Sequence, residues 1–161
     1  MTTLAQYLGQ VATNCLGPNL QNKGATSFMS RSRHIARDDI KQVKIGFPNW
    51  VTRSDTNHLE AGMGGVASII ASIEYPIGTS RQLLFSGDMT GRAADYTTLF
   101  SDPCDISIPD GAVFFVRTWF SNPAGIVWSD GLDTPNGEAF AFSSSAMPRV
   151  RSFRGINRSG D

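Results

Sequence analysis

The residues that could support hydrolysis are few and do not form a set. A serine or cysteine hydrolase needs a nucleophile, a base that takes its proton, and donors for the oxyanion. His34 lies among arginines in a predicted outer strand, and His58 lies in a polar loop. We expect both side chains to be solvated. The segment FSGDM, 85–89, would be a Gly-Asp-Ser nucleophile block if serine stood at its end, but Met89 stands there. A thioether has no proton to lose, so we predict no catalytic residues and no enzyme activity.

Oxygen ligands for a metal ion are present, but their spacing does not match a binding loop. Four residues could offer oxygens to calcium: Asp130, Asp133, Asn136 and Glu138. Their spacing fits no standard calcium loop, and the neighbouring glycines suit a plain turn. Three further residues with potential ligand atoms, Asp102, Cys104 and Asp105, fit a turn and the start of a strand better than a metal site. No glycine-rich phosphate loop precedes a helix in the pattern, so we predict no metal and no cofactor.

The two cysteines, Cys15 and Cys104, lack the spacing of metal ligands. Buried thiols are the simplest interpretation, because free cysteine is among the most buried residue types. The alternative is a disulfide that ties the N-terminal segment to the central strand or to a neighbouring subunit.

The charges are balanced overall but unevenly placed. Fourteen basic and fourteen acidic residues give a formal net charge of zero, and only 17% of residues are charged. Weak self-repulsion favours assembly, so we expect a homo-oligomer. The segment 149–161 carries four arginines against one acid: Arg149, Arg151, Arg154 and Arg158. Because Phe153 is the one aromatic residue there, we predict an acidic protein surface as partner, and nucleic acid is the less favoured alternative.

The strongest structural signal is the stretch from Cys104 to Phe120, CDISIPDGAVFFVRTWF. It predicts a strand, a tight turn at 109–111 and a second, central strand from Val113 to Phe120. Both sides of that second strand carry large apolar side chains, so both need cover. Two packed sheets provide it.

Residues 2–16 predict a short amphipathic helix that ends at Gly17-Pro18, with these residues on its apolar side: Leu4, Leu8, Val11 and Cys15. A helix of about three turns is only marginally stable alone in water, so we expect it to pack against its own sandwich or against an adjacent subunit. The composition of 19–25 predicts a flexible connection. The expected organisation is an N-terminal helical arm and linker at 1–25, a β-sandwich at 26–148 and a basic tail at 149–161.

Further strands are predicted from alternation and turn residues, at 26–36, 41–47, 66–75, 81–86, 126–128 and 138–142. The pair 66–75 and 81–86 should form a hairpin, and 26–36 an outer strand. The predicted fold class is therefore all-β, an antiparallel β-sandwich, for which a jelly roll is one strand arrangement. No stretch has the form of a signal peptide or a membrane span.

Three blocks of the chain carry a resemblance: SFMSRSRHIARDDIKQVKIGFPNW, ASIEYPIGTSRQLLFSG and SIPDGAVFFVRTWFSNPAGIV. Over residues 26–130 they resemble the non-catalytic β-sandwich domain that precedes SGNH/GDSL-type hydrolase domains in some bacterial and phage proteins. The resemblance implies a recognition or structural module and not the hydrolase. In that arrangement a hydrolase domain would begin near Asp161; here we expect an N-terminal helical arm and a basic C-terminal tail instead. This arrangement resembles accessory proteins of tailed-phage particles, such as capsid decoration proteins, head fibres and neck or tail attachments.

The leading hypothesis is therefore a structural protein located in the virion. It would bind the major capsid protein or a tail protein, and we predict no membrane partner. The residues that would make this contact come from both ends of the chain: Leu4, Leu8, Val11, Arg149, Arg151, Arg154 and Arg158. The alternative is a carbohydrate-binding or host-surface recognition module that uses exposed aromatic residues: Trp50, Trp119, Trp128 and Tyr96. The predicted core position of Trp119 argues against that alternative.

Overall fold

The chain is all-β in the residues that the structure, a computed structural model, describes: 18, 20–52, 59–128 and 136–144. These ranges hold fourteen strands and no α-helix: β1 (Leu20–Asn22), β2 (Ser27–Ile35), β3 (Ile40–Val43), β4 (Gly46–Pro48), β5 (Trp50–Thr52), β6 (Glu60–Gly62), β7 (Ala67–Glu74), β8 (Ser80–Gln82), β9 (Gly91–Ala93), β10 (Thr98–Phe100), β11 (Cys104–Ile108), β12 (Val113–Ser121), β13 (Ile126–Trp128) and β14 (Ala139–Ser143). All of the ladders between them are antiparallel. The predicted helix at 2–16 and the tail at 149–161 lie outside the described residues. Within the described ranges we find no helix with the length and hydrophobicity that crossing a bilayer requires.

The largest sheet has six strands in the order β14-β2-β12-β7-β8, with β9 also paired to β7. β12 lies in its middle, which confirms the predicted central strand. The prediction that residues 26–36 form an outer strand is wrong, because β14 pairs along the far side of β2, with Phe142 opposite Phe28. The predicted hairpin is confirmed by the pairing of β7 with β8, where Glu74 lies opposite Ser80.

One face of this sheet, which we call the core face, packs against the smaller ladders. Alternation puts Phe28 of β2, Ile69 of β7 and Phe120 of β12 on it. The rings of Phe28 and Phe120 stack with their centroids 5.1 Å apart. The same buried cluster contains side chains of the smaller ladders: Ile40, Val43, Phe47, Val51, Ile106, Ile108, Ile126 and Val127. The core therefore lies between the large sheet and the short strands.

The smaller ladders pair β1 with β13, β3 with β11, β4 with β10, and β5 with β6. Five of the short strands, β1, β5, β6, β9 and β10, lie outside the predicted strands. β1 lies in the expected flexible connection. A three-residue strand is too short to show alternation in the sequence, and its partner strand fixes it.

A buried pair of asparagines joins the loops at one end of the core. Asn49 and Asn122 are both fully buried. The side-chain amide of Asn49 donates to the carbonyls of Gly65 (2.8 Å), Ala94 (3.0 Å) and Ala93 (3.2 Å). Its side-chain oxygen accepts a 3.1 Å hydrogen bond from the amide of Asn122. These bonds connect the β4–β5 junction to the turns after β6, β9 and β12.

Candidate functional site

The residues predicted to bind a partner lie outside the described residues. This applies to the apolar side of the N-terminal segment and to the basic tail: Leu4, Leu8, Val11, Arg149, Arg151, Arg154 and Arg158. It applies also to the predicted disulfide partner Cys15, to His58, and to Asp130 and Asp133. Those assignments remain predictions.

Cys104 begins β11, and its side chain is buried. Burial raises the pKa of its thiol, although the nearby Arg81 acts in the opposite direction. A buried, protonated thiol is a poor nucleophile, because the thiolate is the reactive form. The disulfide with Cys15 is not tested by the described residues.

The segment that lacks the nucleophilic serine forms a tight turn. Phe85 and Asp88 exchange backbone hydrogen bonds of 2.7 and 3.1 Å. Between them Ser86 and Gly87 have φ values of 54° and 86°, in the left-handed region. The carboxylate of Asp102 accepts hydrogen bonds from the N–H groups of Ser86 (2.9 Å) and Gly87 (2.8 Å), which lower the pKa of Asp102. The side chain of Asp102 therefore holds a turn.

His34 is less solvated than the sequence indicated. It lies on β2, which is an interior strand, and its side chain is half-buried. The ring stacks on Phe114 at a centroid distance of 5.3 Å, and its Nε2 lies 2.9 Å from the hydroxyl of Ser32. These contacts give His34 a packing role on the core face.

The second face of the large sheet, which we call the arginine face, holds a buried ion cluster. Register places Arg31 of β2 opposite Arg117 of β12, and Phe115 of β12 opposite Glu74 of β7. The guanidinium of Arg31 crosses the middle strand by lying over the ring of Phe115, with Cζ 3.4 Å from the ring centroid. Three adjacent strands thus contribute side chains to one cluster.

Glu74 lies at the centre of that cluster, with its side chain 2% exposed. Its two oxygens accept hydrogen bonds from Nε and Nη2 of Arg31, both at 3.0 Å. Nε of Arg117 donates at 2.7 Å, and the N–H of Gly78 donates at 2.8 Å. Burial alone would raise the pKa of Glu74, but the hydrogen bonds from Arg31, Gly78 and Arg117 outweigh it and lower the pKa to about 2. Glu74 therefore stays ionised at neutral pH and fixes β2, β7 and β12 to one another.

We expect this cluster to make stability depend on pH in acid. Because the pKa of Glu74 falls from 4.5 in the unfolded chain to about 2 in the fold, the ionised carboxylate stabilises the fold fully above pH 4.5. The contribution, about 3 kcal/mol, is lost as pH falls from 4.5 towards 2. Urea unfolding across this interval should show a steeper loss for the native chain than for Glu74→Gln. Equal slopes for the two proteins would contradict the assignment.

A second surface lies on the exposed side of the β5–β6 ladder, and we call it the β5–β6 face: Trp50, Thr52, Glu60, Asp95 and Tyr96. Trp50 pairs with Gly62, and Thr52 pairs with Glu60, so the side chains of Trp50, Thr52 and Glu60 share one side of the ladder. Val51, between them, is buried in the core. The sheet register therefore brings an aromatic ring, a hydroxyl and a carboxylate together.

Asp95 and Tyr96 complete this face from the turn before β10. A Cβ at Gly62 would lie 2.4 Å from Oδ1 of Asp95, so the glycine makes room for that carboxylate beside Trp50. The hydroxyl of Tyr96 donates to Oε2 of Glu60 at 3.4 Å. The indole N–H of Trp50 donates to the hydroxyl of Thr98 at 2.9 Å.

The four aromatic residues predicted to stack on a ligand do not form one site. Trp119 lies half-buried on the arginine face. Trp128 is half-buried against Phe142, with the two rings stacked at 6.4 Å. Trp50, which is also half-buried, and the exposed Tyr96 both contribute to the β5–β6 face. Sequence reasoning missed Thr52, Glu60 and Asp95, because only the pairing of β5 with β6 and the approach of Asp95 to Gly62 show that they are neighbours.

No three His, Cys, Asp or Glu side chains within the described ranges form a group that could hold a metal ion. A scan against protein-family models and a search of curated proteins both returned no match.

Proposed function

We propose that the chain is a non-enzymatic structural protein of a tailed-phage particle. In this proposal a β-sandwich body is attached to the major capsid protein or to a tail protein by the two terminal segments. Capsid decoration, a head fibre, and a neck or tail attachment are the roles that fit such a body. The packing of the core face of the large sheet against the short ladders supports a two-layer sandwich, for which a jelly roll is one possible strand arrangement.

The observation that carries the proposal is that the carboxylate of Glu74 is buried and fully hydrogen-bonded within the large sheet. A carboxylate that serves as an acid or base needs a pKa near the working pH and a free path to a substrate proton. Glu74 has neither, because its pKa is about 2 and its oxygens accept bonds from Arg31, Arg117 and Gly78. Such a cluster suits a rigid structural body better than an acid–base site.

The placement of the first described residue supports attachment through the N-terminal segment. The carbonyl of Pro18 accepts a 2.7 Å hydrogen bond from the N–H of Thr52, so Pro18 is bonded to the body at the end of β5. The amphipathic pattern of residues 2–16 supplies an apolar surface that is marginal by itself. The basic tail at 149–161 suits an acidic protein surface. The resemblance to the β-sandwich domains of phage proteins points the same way.

Self-association is supported by the character of β14. Its sequence, AFAFS, has no charged residue and no proline, which are the usual protections of an edge strand. Among the described strands β14 pairs with β2 alone. Phe142 on it is 53% exposed. This edge suits a homo-oligomer within the particle.

Terminal truncation tests the proposal directly. We expect that deletion of residues 1–17 or of residues 149–161 abolishes incorporation into particles, because each removes an attachment segment. Pro18 is retained so that its bond to Thr52 survives. Incorporation is measured by quantifying the chain in purified particles, and circular dichroism and thermal unfolding establish that the body remains folded.

Two substituted chains of native length serve as controls on the deletions. One replaces the four tail arginines by glutamine, and the other replaces Leu4, Leu8 and Val11 by serine. If charge and apolar contact provide attachment, each should lose incorporation as its deletion does. Normal loading of both truncated proteins would show that the terminal segments do not attach the body.

A further inference from the structure

The β5–β6 face combines two kinds of group that suit the recognition of sugars. A sugar ring has an apolar face of C–H groups that packs on an aromatic ring, and a rim of hydroxyl groups that needs hydrogen-bond partners. Trp50 and Tyr96 supply the rings, while Glu60 and Asp95 supply carboxylates. We propose that this face is a binding site for neutral carbohydrates, a function separate from attachment through the terminal segments.

The aromatic groups are held in position without a ligand. Tyr96 is 54% exposed although its φ is 59°, in the left-handed region that non-glycine residues rarely adopt. Its N–H donates to the carbonyl of Asn49 at 3.1 Å, and the N–H of Asn49 donates to the carbonyl of Thr97 at 2.8 Å. Because Asn49 is fully buried, the turn that presents Tyr96 is anchored in the core. An exposed ring kept in a strained backbone conformation is typical of functional sites.

Trp50 is fixed as well, since its indole N–H is bonded to Thr98. Rings that are already placed lose little freedom when a ligand binds, which lowers the ordering cost of association. The Gly64 N–H likewise holds one oxygen of Asp95 at 2.8 Å. The site is therefore preorganised on the β5–β6 ladder and the turn before β10.

The charge of the face selects among ligands with hydroxyl groups. Glu60 and Asp95 are acceptors, so sugar hydroxyls can donate to them in charge-assisted hydrogen bonds. The same two carboxylates repel anionic ligands, which disfavours acidic glycans and the phosphates of nucleic acids. A neutral saccharide satisfies both the rings and the carboxylates.

The test uses the full chain and defined probes. An array of neutral oligosaccharides, including linear glucans, mannans and galactans, is screened first, and the hits are titrated by tryptophan fluorescence. We expect at least one neutral oligosaccharide to bind, and Tyr96→Ala to weaken that binding about fivefold or more. Glu60→Gln should weaken it by a smaller factor, because the amide keeps one acceptor oxygen. Met89→Ala is the control and should bind as the native chain does, since Met89 is an exposed apolar residue outside the β5–β6 ladder and the turn before β10.

Three results would overturn the proposal. These are no binding of any neutral oligosaccharide at concentrations up to about 10 mM, preferential binding of acidic glycans or single-stranded DNA, and unchanged affinity in both Tyr96→Ala and Glu60→Gln. If Tyr96→Ala fails to fold, Glu60→Ala replaces it, because it removes both acceptor oxygens of an exposed side chain. In that case unchanged affinity in Glu60→Ala overturns the proposal, and weaker binding supports it.

Discussion

Glu74→Gln should lower the free energy of unfolding by about 3–5 kcal/mol at neutral pH. The substitution leaves the guanidinium groups of Arg31 and Arg117 without their shared carboxylate, in a place where both are largely screened from water. Removing one partner of a buried ion cluster costs more than the cluster contributes as a whole, because the remaining charges stay buried. Urea unfolding followed by tryptophan fluorescence measures the loss, which corresponds to roughly 10 °C in Tm.

Two further variants test whether the loss arises from uncompensated charge. Asp88→Asn removes one acidic charge from an exposed turn residue and should change the free energy of unfolding by less than about 0.5 kcal/mol. The triple variant Arg31→Met, Glu74→Leu, Arg117→Met replaces the whole cluster by apolar side chains and should lose less than Glu74→Gln alone. A loss below about 1 kcal/mol in Glu74→Gln would contradict the role of the cluster in joining β2, β7 and β12.

Asn49→Ala should destabilise the fold by about 3 kcal/mol or more. The change removes the donor to the carbonyls of Gly65, Ala93 and Ala94 and the acceptor of the Asn122 amide. The Ala94 carbonyl still accepts from Thr97, so the loss falls mainly on the other three groups. Each unsatisfied buried group costs about 1–3 kcal/mol, part of which local relaxation recovers. Chemical denaturation measures the loss.

Asn49→Asp keeps the shape of the side chain but replaces the donating amide by an acceptor that is charged when ionised. It places a carboxylate opposite three carbonyl oxygens, so at neutral pH it should be at least as unstable as Asn49→Ala. Gln42→Ala is the control, because Gln42 is an exposed amide with a single bond to Asp105, and it should cost less than about 0.5 kcal/mol. Equal stability of Asn49→Ala and Gln42→Ala would show that the buried asparagine pair does not hold the loops together.

The sequence predicts the long strands well, because their signal is local. β12 and β7 are runs of apolar and β-branched residues with clear alternation, and the turn between β7 and β8 contains proline and glycine. Alternation also places Glu74 on the side of β7 that points away from the core. The short strands β1, β5, β6, β9 and β10 escape prediction, since three residues are too few to show alternation and only the partner strand defines them.

The ion cluster around Glu74 and the β5–β6 face both depend on the pairing register of the strands, which local sequence patterns do not encode. Arg31 and Arg117 are ordinary strand residues until the pairing of β2, β12 and β7 gathers them around Glu74. The sequence singles out Trp50 as a candidate for ligand stacking, but Glu60 becomes its neighbour only through the β5–β6 ladder. Both clusters therefore need the three-dimensional fold to be recognised.

The proposal that this chain is part of a phage particle is tested most directly by cryo-electron microscopy of purified particles whose genome encodes it. We predict density for the β body at ordered positions on the capsid or tail, with the N-terminal segment and the basic tail lying against the major capsid or tail protein. Particles that lack the chain, or that carry it at ordered positions without contact from either terminal segment, would contradict the proposal.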